Sequence, residues 1–401
     1  MKSFIAVQTG ARRNYAVPII LEKAGMLEAF YTDICANSGI GLLLEKFAPD
    51  FLKRGSINRL LNRCLPGELE SKVQTFDLSS IGYLLRQKIG RKNLLSNYNN
   101  LCLFNKDFAK SMIAQGVGKA SHVFSMQGEG IDFLNFAKSQ GLKIAVDVYI
   151  SPSTYRIIQK EKKKYSELEE TIPTKIIEES YRRWDKLDKI TDLFIAPSDF
   201  VIDGLEELGI NRDRCHKVPY TVDHSWLQVQ NKPQVGRILF VGTAELRKGI
   251  HILGLAAQKL QDLNYEFRVV GGVSNAVKHH KSMDRLNFLN RISRAEIKQE
   301  FAQADILVLP SLAEGSAIAT YEALAAGLPV ITTEAAGSVV RNGIEGFIIP
   351  SNDPDTLAQK IEELVEDREL RDRMALAAKE RAQEYTWEKY AERLLSSLER
   401  I

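Results

Sequence analysis

Two carboxylates, Glu314 and Glu322, stand with seven residues between them in a stretch otherwise rich in small side chains, PSLAEGSAIATYEALAAGLPV, residues 310–330. The apolar run ADILVLP, which leads into it, reads as a buried strand. Gly327 and Pro329 read as a helix stop before a second apolar run, PVITT. Glu314 is therefore expected on a strand-to-helix loop and Glu322 inside the helix. Eight residue steps of about 1.5 Å separate them by roughly 12 Å along the axis. Carboxylates so far apart cannot share one metal ion or one proton. They could hold two ends of an elongated polar ligand.

A second stretch supplies the opposite charge. In RILFVGTAELRKGIHILGLAAQKL a strand meets Gly242, then a short loop, then a helix expected to begin near Lys248. Arg247 and Lys248 would sit at a helix N-terminus, where the macrodipole disfavours cations by a few tenths of a kcal/mol or more. A bound anion facing them, phosphate above all, relieves that conflict; two solvated bases on a loop tip are the simpler alternative. Gly315, Ser316, Ala317 and Ile318 offer backbone N–H groups at another helix start with little bulk around them. Glu314 could accept from sugar hydroxyls, and Glu322 could take two vicinal hydroxyls as a ribose offers. Singly, Glu322 reads as a solvated helix face and Glu314 as a first-turn acid. Together the residues suit an anionic polyol made of sugar, diphosphate, ribose and base.

The elements that must position these residues alternate along the chain. Strand candidates FIAVQ, SHVFSM, KIAVDVYI, LFIAPS, CHKVPY, RILFVG, EFRVVGG, DILVLP, PVITT and GFIIP are separated by helix-length segments. That rhythm implies parallel α/β sheets. The polar stretch TVDHSWLQVQNKPQVG breaks it and reads as an interdomain linker. The expected organisation is two doubly wound, Rossmann-like halves facing a central cleft: residues 1–222, a linker at 223–236, residues 237–384, and a C-terminal helix at 385–401 that returns to the first half. QKEKKKYSELEE reads as an exposed charged helix. Asp353, Pro354 and Asp355 form a superficial Asp-x-Asp pattern, but the proline falls at the first turn of the following helix, so capping explains it better than metal binding. His279 and His280 are adjacent and point apart, and His122 begins a strand and reads as structural. No Ser-His-Asp arrangement can be placed.

The totals are those of a globular chain of two or three domains: 401 residues, 44% hydrophobic and 26% charged. No run is long enough to span a bilayer, and MKSFIAVQTG opens as a strand rather than as a signal peptide. Cys35, Cys64, Cys102 and Cys215 form no C-x-x-C pair, which suits a reducing cytoplasm and argues against a zinc site. A net charge of +3 does not by itself imply nucleic acid. The bases are uneven, however. Residues 40–95 hold ten (Lys46, Lys53, Arg54, Arg59, Arg63, Lys72, Arg86, Lys88, Arg91, Lys92) against five acids, interleaved with apolar clusters. Such a segment either lies on an anionic membrane surface or is an ordinary solvated helix face.

The chain resembles the family 4 glycosyltransferases, retaining enzymes of the GT-B fold that use nucleotide sugars. Glu314 to Glu322 matches the family's E-x7-E signature, followed by EALAAGLPVI. FVGTAELRKG matches the phosphate-binding loop, and PSDFVIDGLEELGINRDRCHKVPYTVD, VVRNGIEGFIIPSNDPDTLAQKI and YTWEKYAERL match further segments. The likeness covers most of residues 190–400. Before that it is limited to Gly10, which resembles the acceptor-side glycine loop. The resemblance implies that Arg247 and Lys248 neutralise the diphosphate and that Glu314 touches the transferred sugar. It implies that the backbone of residues 315–318 meets sugar and phosphate, that Glu322 holds the ribose, and that backbone near Ile292 meets the base. It also implies a hydroxyl acceptor, a glycan, lipid or small molecule, transfer of a hexose with retention, and no metal cofactor. Three departures stand out. Thr243 follows Gly242 where many members have arginine, the family's E-G-F-G reads E-G-S-A, and Asp147 or Tyr149 stands near where many members carry histidine. A nucleotide-sugar epimerase or a phosphorylase on a similar scaffold, or an inactive nucleotide-sugar-binding partner, are the alternatives; acceptor-dependent release of nucleoside diphosphate separates them.

Overall fold

A computed structural model describes residues 2–47, 63–90 and 93–401. Among the described residues thirteen strands form two sheets. The first contains β1 (Phe4–Val7), β2 (Leu27–Thr32), β3 (Val73–Thr75), β4 (His122–Met126), β5 (Lys143–Asp147), β6 (Leu193–Ala196) and β7 (Cys215–Lys217), in the order β3-β2-β1-β4-β5-β6-β7. The second contains β8 (Arg237–Val241), β9 (Glu266–Val270), β10 (Leu286–Asn290), β11 (Ile306–Leu309), β12 (Val330–Thr333) and β13 (Gly346–Ile349), in the order β10-β9-β8-β11-β12-β13.

All ten strand candidates read from the sequence lie in these sheets. The neighbouring pairs from β1 to β6 and from β8 to β13 are parallel. β1, β11 and β12 are buried along their whole length, as strands covered by helices on both faces must be. The strands not anticipated, β2 (LEAFYT), β3 (VQT) and β10 (LNFLN), mix polar and apolar residues near the sheet margins, where the continuous apolar run weakens. In each sheet the strand order reverses direction once, between β1 and β4 and between β8 and β11. Loops leaving the carboxyl ends of strands at such a switch point are where open α/β sheets bind ligands.

By packing, the chain divides into one unit of residues 1–148, 173–195 and 398–401 and another of residues 149–172 and 196–397. Neither unit is a single stretch of sequence. The segment read as a linker is packed rather than loose. Trp226, on the short helix His224–Leu227, meets Phe301 edge-on with ring centroids 4.9 Å apart. Asn231 Nδ2 donates to the carbonyls of Phe301, Ala302 and Ala304. The charged segment QKEKKKYSELEE is exposed only in part. Glu161 is buried and accepts from His251 Nε2 at 3.1 Å, because helix Thr154–Lys164 packs beside Leu246–Lys248. Asp353 caps helix Pro354–Glu366 by accepting from Thr356 N at 2.9 Å, with proline in the first turn, as read. His122 bonds Ser121 Oγ and the Ile401 carbonyl.

The basic segment at 40–95 falls partly on residues 48–62 and 91–92, outside the described residues. Within them, three of its bases are not simply solvated. Arg63 pairs with Asp33, Lys72 with Glu22 and Arg86 with Asp107. Lys46 and Lys88 are exposed. No helix among the described residues is long and apolar enough to cross a membrane.

Candidate functional site

At the switch point of the second sheet, the loops after β8 and β11 carry the residues singled out by type and spacing. After β8 the backbone passes Gly242 and makes one tight turn, Leu246–Lys248, before helix Ile250–Lys259. Arg247 and Lys248 thus precede the helix instead of opening it. Gly249, in a left-handed conformation at φ 74°, separates the turn from the helix. Gly242 has φ +147°, and a Cβ there would lie 2.8 Å from Lys248 Cδ. Only glycine lets the lysine side chain fold back over the loop. Glu169 holds the turn by accepting from Leu246 N at 2.6 Å.

After β11 the chain enters the loop that bears Glu314. Arg247 Nη1 lies 2.6 Å from Glu314 Oε2, and Lys248 Nζ lies 2.5 Å from Glu314 Oε1. Arg247 also pairs with Glu245 and donates to the Ala313 carbonyl. Side-chain exposures of 24% for Arg247, 16% for Lys248 and 11% for Glu314 mean that neither base is solvated on a loop tip. Residues 66 positions apart in sequence thus form one ion cluster. Opposed charges held this close in a partly buried site attract far more strongly than in water.

Glu314 stands on the loop and Glu322 on helix Ile318–Ala326, which ends at Gly327 in a left-handed conformation. At the helix start, the amides of Gly315, Ser316 and Ile318 have no partner among the described residues. Ala317 differs from the expectation: its N–H donates to the Ala336 carbonyl at 3.0 Å, because the loop packs on the 334–336 turn. The Ser316 hydroxyl is also engaged, with Tyr321 Oη at 2.9 Å and the Gly337 carbonyl at 2.6 Å. Gly315 is required by close approach, since a Cβ there would come 1.8 Å from the Tyr149 carbonyl. Ser198 Oγ donates to its carbonyl at 2.5 Å.

Glu322 has no hydrogen-bond or ion-pair partner among the described residues. Burial pushes its carboxyl up to about 7; Arg294 and Lys298 pull it down and Asp223 pushes it further up. A half-buried acceptor without a donor, flanked by charges on neighbouring elements, is suited to a ligand that brings the donors. Ile292 lies half-buried on the connection between β10 and helix Arg294–Gln303, whose capping box is built by Ser293 and Glu296. Among the described residues no group of three or more His, Cys, Asp or Glu could hold a metal ion.

The switch point of the first sheet is built differently. Gly10 N donates to Asp33 Oδ1 at 2.7 Å, and Arg63 Nη1 meets Asp33 Oδ2 at 2.7 Å. Thr9 donates its N–H and its hydroxyl to the two oxygens of Glu129, at 2.6 and 2.7 Å. Burial pushes the Glu129 carboxyl up to about 7 against the pull of Thr9 and Arg12. Burial also raises Asp33, against the pull of Arg63 and the Gly10 amide. Beside this loop is a cavity of about 420 Å³, lined by Gly10, Arg12, Asp33 and Arg63 on one side and by Tyr83, Leu84, Leu101 and Phe104 on another. Arg13, Asn14 and Tyr15, at φ 48°, 50° and 61°, are three consecutive left-handed residues. Such backbone costs of the order of 1–3 kcal/mol per residue and clusters at functional sites. Arg13 pairs with buried Asp147 at the end of β5, whereas Tyr149 presents its carbonyl to Gly315. Asp33, Glu129, Arg13 and Glu169 were not singled out from sequence, and Arg63 was read only as one of the bases of the 40–95 segment. Each acts on a residue distant in the chain and sits in no local pattern.

Residues 226–381 match the family described as glycosyl transferases group 1. An uncharacterized glycosyltransferase of Methanocaldococcus jannaschii is 30% identical over 159 residues, which are 38% of this chain and 44% of that protein. The chain spans less than half the length of the curated relatives it first matches. Among solved structures, sucrose-phosphate synthase from Thermosynechococcus elongatus superposes with a TM-score of 0.68 at 16% identity, covering 100% of this chain and 98% of that one. Anabaena HepE, solved in complex with UDP and glucose, superposes with a TM-score of 0.62 at 15% identity and covers 100% of both chains. The fold is α/β with the GT-B architecture of those glycosyltransferases, two parallel sheets flanked by helices.

Proposed function

We propose that this chain, whose residues 226–381 match the glycosyl transferases group 1 family, moves a hexose from a nucleotide diphosphate sugar to a hydroxyl acceptor. The observation that carries the proposal is the cluster in which Arg247 and Lys248 both hold Glu314, beside the open amides of Gly315, Ser316 and Ile318. The two cations and these amides bind the diphosphate and stabilise the negative charge that grows on it as the glycosidic bond breaks. Glu314, released from the cations when the diphosphate takes its place, accepts hydrogen bonds from the sugar. Glu322 accepts from the ribose hydroxyls, and the backbone at Ile292 borders the base. That HepE was solved with UDP and glucose supports a donor of this class.

In this reading the anomeric configuration is retained, with the diphosphate leaving on the face where the acceptor hydroxyl arrives. Arg247 and Lys248 supply the positive charge, so transfer proceeds without a divalent metal. Four free cysteines fit a reducing, cytoplasmic setting.

Screening nucleoside diphosphate sugars by thermal shift, then measuring acceptor-dependent release of nucleoside diphosphate, tests this reading. A donor at about 100 times its dissociation constant adds about 2.7 kcal/mol of stability. Release should persist in excess chelator. No stabilisation by any nucleotide sugar overturns the donor assignment, and activity lost in chelator and restored by magnesium or manganese overturns the metal-free reading.

A further inference from the structure

Residues 149–172 lie in the chain between β5 and β6, yet they pack within the second unit. They meet it where the proposed donor loops are built. Leu168 is 3% exposed and shares one apolar core with Leu246 of the cation turn, Ile250 of the helix after it and Ala317 of the Glu314 loop. Glu161 accepts from His251 Nε2 with one oxygen and from Asn352 Nδ2, at 3.2 Å, with the other. His251 is the second residue of helix Ile250–Lys259 and is fully buried, with the Tyr165 ring centroid 4.7 Å from its own. Gln159 closes the segment on itself. Its Nε2 donates to the Ile172 carbonyl at 3.0 Å, and its Oε1 accepts from Ile172 N at 2.7 Å. The segment is a clasped strap rather than a loose connection.

The cation turn lacks bonds that the strap supplies. The first amides of a helical turn have no partner inside it. Lys248 N reaches the Glu245 carbonyl at 3.1 Å and Gly249 N the Leu246 carbonyl at 2.9 Å, which leaves the amides of Leu246 and Arg247 outside. The residue before such a turn often caps it with its own side chain. Glu245 makes no cap and pairs with Arg247 instead. Glu169 takes that role from the strap: Oε1 accepts from Leu246 N at 2.6 Å, while Oε2 lies 3.1 Å from Lys162 Nζ. An ionised acceptor makes one of the stronger kinds of hydrogen bond to an amide. Lys162, a residue of the same strap, fixes the carboxylate at its other oxygen.

We propose that the strap is a positioning element for the donor site and that it acts through Glu169. By capping the turn from another segment, Glu169 sets how Arg247 and Lys248 meet the diphosphate, without touching the ligand itself. Strap docking and diphosphate binding then favour each other, and the coupling is reciprocal. The proposal rests on the reading that these two cations bind a nucleoside diphosphate.

The test uses the full protein and whichever of UDP, GDP, ADP and dTDP gives the native chain its largest thermal shift. Glu169→Ala should weaken that nucleotide by about tenfold in calorimetry, the scale of one hydrogen bond to a charged group. Glu169→Gln, whose amide oxygen can still accept from Leu246 N, should recover most of the loss. Bound nucleotide should slow hydrogen exchange across residues 154–172 of the native protein, and this protection should shrink in Glu169→Ala. A brace with a structural role alone would lower the melting temperature of Glu169→Ala and leave its nucleotide affinity at the native value; that result overturns the proposal. Equal losses of affinity in the alanine and glutamine variants overturn it too, because charge rather than capping would then be what matters. So does a strap whose exchange ignores the nucleotide. If none of the four nucleotides shifts the native protein, the donor reading fails and the proposal falls with it; if one does, the variants judge the proposal alone.

Discussion

The two switch points solve the same structural problem with opposite devices. In the second sheet, cations and a carboxylate sit on loops facing each other, Arg247 and Lys248 after β8 and Glu314 after β11. In the first sheet carboxylates instead hold the loop's backbone, Thr9 by Glu129 and Gly10 by Asp33, which also pairs with Arg63. Under the proposed function, one site pairs its working groups with each other until a ligand separates them. The other freezes the backbone so that a cavity stays open beside it. If the proposal holds, a charged ligand such as a diphosphate is met by exchangeable ion pairs, whereas the shape of the other pocket is set by buried acids, Glu129 behind the loop and Asp33 at the cavity wall.

The largest test of the contrast concerns Glu314 and Lys248. If the ligand-free ion cluster is an exchangeable pair, Glu314 competes with diphosphate for the two cations. Lys248→Ala should weaken nucleoside diphosphate by about ten- to a hundredfold, the range of a charge-assisted hydrogen bond of 1.5–3 kcal/mol. Glu314→Gln should leave that affinity unchanged or raise it, and cut transfer by about a hundredfold. Calorimetry with nucleoside diphosphate and turnover with donor separate the two. If both variants lose diphosphate affinity equally, the cluster is a fixed scaffold and the contrast between the sheets fails.

How far the sequence revealed these sites follows the same division. The strand runs, the helix stop at Gly327 and the loop-then-helix placement of Glu314 and Glu322 all depend on neighbours in the chain, so periodicity and spacing expose them. Where a role depends on tertiary packing, local reading failed. The Ala317 amide is engaged by a turn from residues 334–336, and the helix near Lys248 is delayed by left-handed Gly249. The Gly10 loop is defined by Asp33 and Glu129, 23 and 120 residues away. No spacing rule links residues whose proximity comes from strand order. The double glycine ending VVGG was a missed local signal: a Cβ at Gly271 would lie 1.9 Å from the Gly242 carbonyl, so the two loops touch there.

A middle-sized effect belongs to Glu322. Its carboxyl, raised by burial to about 7, must be ionised to accept two ribose hydroxyls. Nucleoside diphosphate affinity of the native protein should therefore fall as pH drops below about 7, beyond any change from the phosphate's own titration, which Glu322→Gln reports by itself. That variant should weaken nucleoside diphosphate and its sugar by similar factors of about ten, because ribose is common to both. Without ligand it should melt higher than the native protein at alkaline pH, since it removes a buried charge that Arg294 and Lys298 offset only in part. A variant that melts lower, with unchanged nucleotide affinity, would make Glu322 a structural acid and remove one end of the proposed grip.

The smallest effect should come from Glu129, and it tests the other half of the comparison. Burial raises this carboxyl from 4.5 to about 7, even though both its oxygens accept from Thr9. The folded state thus keeps a proton that the unfolded chain releases between those values. Stability must fall as pH rises through that window, and the penalty for the buried charge is complete above it. Glu129→Gln removes the charge and keeps the shape: the amide oxygen can accept from Thr9 N while the amide group donates to the Thr9 hydroxyl. At about pH 5, where Glu129 is largely protonated, variant and native protein should melt within a degree or two; above about pH 8 the variant should melt several degrees higher. Nucleoside diphosphate affinity should not change, since the residue acts on the first sheet's loop alone. A variant that melts lower at every pH would show that ionised Glu129 anchors the loop through Arg12, so that its charge and not its shape holds the first switch point.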